Sequence, residues 1–104
     1  MDEVDTNLPT LDDFSVQLNS KFHIASETQP SFDAELVEVE QTISNSVQMS
    51  FSLIFRAPAD TPPAQSLYNV AHPVLGEMLI FLVPIKMNDQ GLFFEAVFNK
   101  LLLK

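Results

Sequence analysis

Polar and apolar residues alternate along much of the chain, which is typical of β-strands with one buried face. The alternation is most regular over Gln48–Ala57. Because successive side chains of a strand point to opposite faces, this segment predicts a strand with a core side and a solvent side. The core side comprises Met49, Phe51, Leu53 and Phe55, and the solvent side comprises Gln48, Ser50, Ser52 and Arg56.

Five further segments have the length and composition of strands. In one of them the apolar residues change parity after Leu36, which predicts a β-bulge near that residue or two partly covered faces. Another, Glu77–Ile85, is apolar at both parities. We expect one of its faces to meet the core and the other to be covered by a helix, a second sheet or another subunit. The five segments are Lys21–Ala25, Phe32–Thr42, Leu67–His72, Glu77–Ile85 and Leu92–Asn99.

Short polar segments separate these strands. His72–Gly76 and Asn88–Gly91 have the composition of turns, and the proline-rich segment 57–66 predicts an irregular connection. Before the first strand, Thr10 is suited to cap a short helix over Leu11–Leu18. The elements therefore follow one another in the order helix and then strands.

This order predicts a mainly β fold, with about six antiparallel strands forming a small barrel or sandwich and one short N-terminal helix. A chain of 104 residues has room for one domain. We expect residues 1–9 to form a flexible arm, because they carry too little apolar surface to become ordered. Residues 10–104 are expected to form a single β-rich domain.

Composition narrows the classes of function. The chain has no cysteine, which excludes disulfides and cysteine-based metal or catalytic sites. Its net charge of −9 argues against nucleic acid, whose phosphates require clustered Lys and Arg. The acidic start does not resemble a signal peptide, and the longest apolar run is too short to span a bilayer. We therefore expect no membrane partner, and a location in the cytoplasm or in an assembly that leaves the cell without a cleaved signal.

No pattern of residues predicts a catalytic residue, a metal site or a cofactor. The two histidines, His23 and His72, would share a metal with Glu35 or Glu38 only across separate strands, and no spacing favours that arrangement. The chain has two glycines, which is too few for a glycine-rich phosphate loop. We expect a protein that is not an enzyme.

One charged residue, Arg56, is expected to have a structural role. It follows the regular strand and precedes the proline-rich connection. We expect it to form an ion pair with Glu77 or Glu95.

The last strand and the residues after it form the candidate interface. In the last strand Leu92, Phe94, Ala96 and Phe98 are predicted to point inward. The outward residues would leave an exposed apolar patch if nothing covered them. Either the patch docks against the chain's own helix, or it binds a protein partner or a second copy. The candidate interface residues are Phe93, Val97, Leu101, Leu102 and Leu103.

Four linked motifs resemble a family of small bacterial proteins known only as a domain of unknown function. They are FSLIFRAP at 51–58, HPVLG at 72–76, FLVPI at 81–85 and FEAVFN at 94–99. The chain departs from the family pattern at Ala57, where glycine is frequent, and at Phe94, where tyrosine is frequent. The resemblance implies no activity or catalytic residue. It implies an association with genes for phage-tail-collar or tail-fibre-like proteins, and so a phage-tail-like assembly as a second expected location.

Two hypotheses of function follow. The first is a non-enzymatic assembly or accessory module that binds a protein partner or forms a homo-oligomer, linked to phage-tail-like or tail-fibre proteins. The alternative is a small β-barrel that binds a small apolar ligand. We favour the first, because the interior of a barrel of six strands is usually filled by its own side chains.

Overall fold

The structure, a computed structural model, describes residues 9–101. It contains one helix and six strands, which confirms the predicted fold class. Apart from Pro9, the predicted N-terminal arm lies outside the described residues. The elements are α1 (Leu11–Val16), β1 (Lys21–Ala25), β2 (Phe32–Ser44), β3 (Gln48–Ala57), β4 (Ser66–His72), β5 (Gly76–Asn88) and β6 (Gly91–Leu101).

The strands form a closed barrel in the order β1-β2-β3-β6-β5-β4, and every neighbouring pair is antiparallel. Of the two architectures expected from the sequence, the barrel is therefore the observed one. The strand β1 closes the ring, because it pairs with β2 on one side and with β4 on the other. Its pairing with β4 extends only from His23 to Ala25. The ring is thus completed by a short strand between two longer ones.

Side chains from all six strands fill the interior. Every second residue of β3 from Phe51 to Ala57 belongs to this core, as the alternation predicts. The inward residues of β6 are also those predicted, since Leu92, Phe94 and Ala96 are buried and Phe98 packs against the core. The hydrophobic pattern therefore assigns the core faces of these two strands correctly.

The helix α1 buries a single side chain, Phe14, whose ring packs at 6.1 Å from Phe51 and 5.7 Å from Phe98, centre to centre. Thr10 caps the helix through a capping box with Asp13. The helix ends at Val16, earlier than predicted, and Leu18 is exposed. Asn19 then takes a positive φ of 74°, and this left-handed turn directs the chain into β1.

Irregularities in β2 explain its mixed hydrophobic pattern. The β2–β3 register shifts between Leu36 and Glu38 and again between Gln41 and Ile43. The first shift lies where the sequence predicts either a bulge or two partly covered faces. Each shift changes which residues face inward. As a result Leu36 is buried, and Val39, of opposite parity, also packs against the core.

One prediction about an outer face is wrong. The outer side of β3 is not a fully solvated face, because Ser50 and Ser52 are buried. This strand lies between β2 and β6, where Ser50 is opposite Ile43 and Asn99 and its hydroxyl donates a hydrogen bond to Asn99 Oδ1.

On β5 the outer residues Leu79, Phe81 and Ile85 are exposed, so no helix or second sheet within residues 9–101 covers this face. Cover by another subunit, the third expected possibility, stays a prediction.

The turn between β5 and β6 depends on Gly91. Its φ is 147°, and a Cβ at this position would overlap the carbonyl oxygen of Ala57. The turn between β4 and β5 also contains a glycine of positive φ, Gly76 at 84°, but a Cβ there would meet open space. Both turns occur where the sequence predicts them.

We expect Gly91→Ala to destabilise the protein more than Gly76→Ala. The alanine at position 76 adds only backbone strain of about 1–3 kcal/mol, whereas the alanine at position 91 adds the same strain and displaces β3. Urea unfolding of the two variants measures the difference. Equal losses in the free energy of unfolding would contradict this account of the β5–β6 turn.

Candidate functional site

Both histidines of the barrel are engaged in hydrogen bonds with neighbouring groups. His23 Nδ1 lies 2.9 Å from Asp33 Oδ1 on the outer surface, and His72 is buried in a separate network. Within residues 9–101 no group of three metal-ligating side chains comes together. The two histidines therefore do not converge with Glu35 or Glu38 in the described structure.

The network around His72 determines the protonation of its ring. Nδ1 accepts hydrogen bonds from the backbone N–H groups of Val74 at 3.0 Å and Leu75 at 3.3 Å. An Nδ1 that accepts carries no proton, so the hydrogen of the neutral ring is on Nε2. Nε2 therefore donates to Ser20 Oγ at 2.9 Å, and this hydroxyl donates to the carbonyl of Gln17 at 2.6 Å.

This arrangement resembles a serine–histidine pair but is oriented for structure. A histidine that acts as general base must accept the serine proton. Here Nε2 is the donor, and the serine proton is directed at the Gln17 carbonyl. The network links the residues after α1 to the β4–β5 turn. Burial lowers the pKa of His72, which favours the neutral form of its ring.

The ion pair of Arg56 differs from the predicted one. Its guanidinium binds Glu35 Oε1 at 2.5 Å, and not Glu77 or Glu95. Glu35 lies opposite Arg56 in the β2–β3 ladder, so the two side chains are direct neighbours on the outer face. Sequence reasoning could not place this pair, because the register between β2 and β3 depends on the bulges.

Phe93 lies on the outer face of β6 but is only 8% exposed. Its neighbours across the ladders are Arg56 on β3 and Lys86 on β5. The Lys86 ammonium lies 4.6 Å from the centre of the Phe93 ring, a cation–π contact. Phe93 is thus covered by the chain itself.

The other candidate interface residues have different positions. Val97, also on the outer face of β6, is 59% exposed. Leu101 is the last residue of β6 and lies opposite Gln48. Leu102 and Leu103 lie outside the described residues.

A larger apolar surface lies on the outer faces of β4 and β5. Leu67 on β4 is directly opposite Phe81 on β5, and Leu79 lies two positions before Phe81 on the same face of β5. These three side chains are exposed to 54%, 49% and 63% respectively. We call them the β4–β5 apolar patch. The sequence shows that both faces of β5 are apolar. It does not show that these three residues are exposed, because exposure depends on which parts of the chain cover the outer face.

The patch continues into a groove of about 560 Å³. The end of β1 and the residues after it form one side, and the start of β4 and Leu79 form the other. A tight turn follows β1 on this side, in which Ser26 Oγ accepts hydrogen bonds from the N–H groups of Thr28 and Gln29. The lining residues are Ala25, Ser26, Glu27, Thr28, Ser66, Leu67, Asn69 and Leu79.

The interior of the barrel, by contrast, is occupied by aromatic rings. Phe32 stacks on Phe94 at 5.6 Å, and Tyr68 meets both rings edge to face. At the other end Phe51 stacks on Phe98 at 4.9 Å. Fold and site together define a small antiparallel β-barrel with an aromatic interior and an apolar patch on its outer surface.

The chain belongs to the family described as domain of unknown function (DUF6916), whose model matches residues 9–98. This agrees with the expectation of a family of unknown function. No curated protein and no solved structure matches the chain. Among the residues that the structure describes, no helix has the length and apolar character to cross a membrane.

We expect the free energy of unfolding to decrease as the pH falls through and below 6.5, the ordinary pKa of histidine. The pKa of His72 is lowered in the folded state from its ordinary value of 6.5. Below pH 6.5 the unfolded chain therefore takes up a proton that the folded chain does not, and the free energy of unfolding decreases until the lowered pKa is reached. Urea unfolding at several pH values measures this decrease.

The control for this experiment is the exposed histidine. His72→Gln should flatten the dependence of stability on pH over this range, whereas His23→Gln should retain the decrease. Identical pH profiles for the wild type and His72→Gln would contradict the assignment.

We expect a double-mutant cycle of Glu35→Gln and Arg56→Gln to give a coupling energy of about 0.5–1 kcal/mol, which is typical of a pair that solvent partly screens. A second cycle that combines Arg56→Gln with Glu95→Gln should give a smaller coupling energy. A larger coupling energy in the second cycle would mean that Arg56 pairs with Glu95, as the sequence predicts, and not with Glu35.

Proposed function

We propose that this protein is a non-enzymatic assembly or accessory module that binds another protein subunit through the outer surface of its barrel. The observation that carries the proposal is the β4–β5 apolar patch, in which three large apolar side chains are adjacent and about half exposed or more. Neighbouring apolar side chains of this size on one sheet face favour an interaction surface, because each loses contact with water when a partner covers it.

The filled interior supports an external site. A small apolar ligand inside the barrel would have to displace the ring contacts of Phe32, Tyr68 and Phe94. Such displacement loses well-packed apolar contacts that are already satisfied. The packing therefore favours protein binding over the alternative hypothesis of a ligand held in the barrel.

The chemistry of the buried polar groups also supports a binding role. Ser20 and His72 form the one serine–histidine contact among the described hydrogen bonds. The hydrogen bonds of the two side chains hold the chain after α1 against the β4–β5 turn. This pair is therefore not arranged to activate a nucleophile, which supports a role in binding. We propose accordingly that the protein is not an enzyme.

We further propose that the partner is a tail-fibre-like or collar-like subunit of a phage-tail-like assembly, which the protein meets in the cytoplasm. The support for this part is the resemblance carried by the four sequence motifs. Binding would bury apolar area on the sheet, while the acidic remainder of the surface stays hydrated.

The proposal predicts that the tagged protein, purified from its native host, brings down a protein partner in stoichiometric amount. Mass spectrometry identifies the partner, and an untagged strain controls for background. Recovery of a tail-fibre-like or collar-like protein is the expected result. Recovery of the tagged protein by itself, as a monomer, would refute the proposal.

A further inference from the structure

We propose that the groove between β1 and β4 binds an extended segment of a partner protein that carries a basic side chain next to apolar ones. This inference rests on the proposed function and adds the place and the chemistry of the contact. It excludes a second copy of the chain as the occupant.

The edge of β4 is open where it borders the groove. Pairing between β1 and β4 stops at Ala25 and Asn69, while β4 begins at Ser66. The turn at Ser26 prevents the chain after β1 from continuing along β4. The segment Ser66–Tyr68 therefore has β5 as a strand neighbour on one side and the groove on the other. A strand edge beside a groove suits an extended segment, which can add main-chain hydrogen bonds.

The floor of the groove is apolar. Leu67 and Leu79 line the groove and also belong to the β4–β5 apolar patch. Phe81 extends this surface along β5, opposite Leu67. Alternate side chains of a segment that pairs with the β4 edge lie on the same outer face as Leu67, because side chains of an extended chain alternate with a period of two. Apolar residues at those positions would cover the patch.

The charged residues in and beside the groove are acidic. Glu27 is the one charged residue among the described residues that line the groove. Glu77 lies on the same outer face as Leu79, two positions earlier on β5, and is exposed. Both carboxylates favour a Lys or Arg on the bound segment, and the chain's net charge of −9 attracts a basic partner over a longer range.

The same charges oppose a second copy. A two-fold contact through this face would use the same patch on both molecules and bring their Glu27 and Glu77 side chains to one interface. Two chains of net charge −9 also repel each other. A basic segment from a different protein meets neither obstacle.

Photo-crosslinking in the native host tests the inference. The crosslinking residue p-benzoylphenylalanine replaces Thr28 on the groove rim in one variant and Leu79 on its floor in another. A third variant carries it at Val74, which is 70% exposed in the β4–β5 turn and lies outside the groove. We expect crosslinks from positions 28 and 79 to a partner segment that contains Lys or Arg, and none to that segment from position 74.

Binding of the captured partner to purified variants gives a second readout. Leu79→Lys should weaken binding about tenfold or more, since it places a cation on the apolar floor. The matched control Val74→Lys should leave affinity unchanged within about twofold. Glu27→Gln should weaken binding at about 50 mM salt and have little effect at about 1 M salt, where charges are screened. Circular dichroism and thermal melting verify that each variant is folded.

The outcomes separate this inference from the proposed function. A stoichiometric partner that crosslinks only outside the groove, or through an acidic segment, would overturn the inference and leave the proposed function intact. Crosslinks from positions 28 and 79 to another copy of the chain would overturn it as well. If no variant recovers a partner, both the function and the inference fail.

Discussion

Closure of the sheet depends on β1, which holds together β2 and β4, the two strands at the ends of an otherwise open sheet of five. Phe22 and Ile24 anchor β1 in the core, where both are fully buried. Burying two such side chains contributes about 1.5–3 kcal/mol each, and the ladders on both sides remove two open edges. Because β1 is short, it closes the ring without covering the first residues of β4. The groove is a direct consequence.

The aromatic side chains allow so small a barrel to be packed without disulfides. Phenylalanine rings fill space without requiring hydrogen-bond partners, and tilted or offset pairs add a modest favourable energy to their burial. Phe22 illustrates this, since its ring meets Phe55 edge to face at 5.2 Å and also contacts His72. The His72 network thereby couples core packing to the polar contacts that hold the chain after α1 against the β4–β5 turn. Loss of the neutral ring would affect both.

Apolar residues on the outer surface are covered in one region and exposed in another. Around Phe93 the chain covers its own ring, with Arg56 and Lys86 as neighbours on both sides. Along β4 and β5 the residues that the structure describes leave Leu67, Leu79 and Phe81 about half exposed or more. A protein that only needed solubility could place polar residues at these positions at little cost. The difference between the two regions gives the interaction hypothesis its physical basis.

Local patterns in the sequence determined the strands, the core side of β3 and β6, an irregularity near Leu36 and both glycine turns. These features depend on alternation and on backbone preferences, which act over a few residues. The tertiary structure alone decided that the sheet closes as a barrel, that Arg56 pairs with Glu35, that Phe93 is covered and that the outer face of β5 is exposed. Each of these depends on which strands are neighbours and in which register. That choice is made by packing between residues far apart in the chain, which no local pattern encodes.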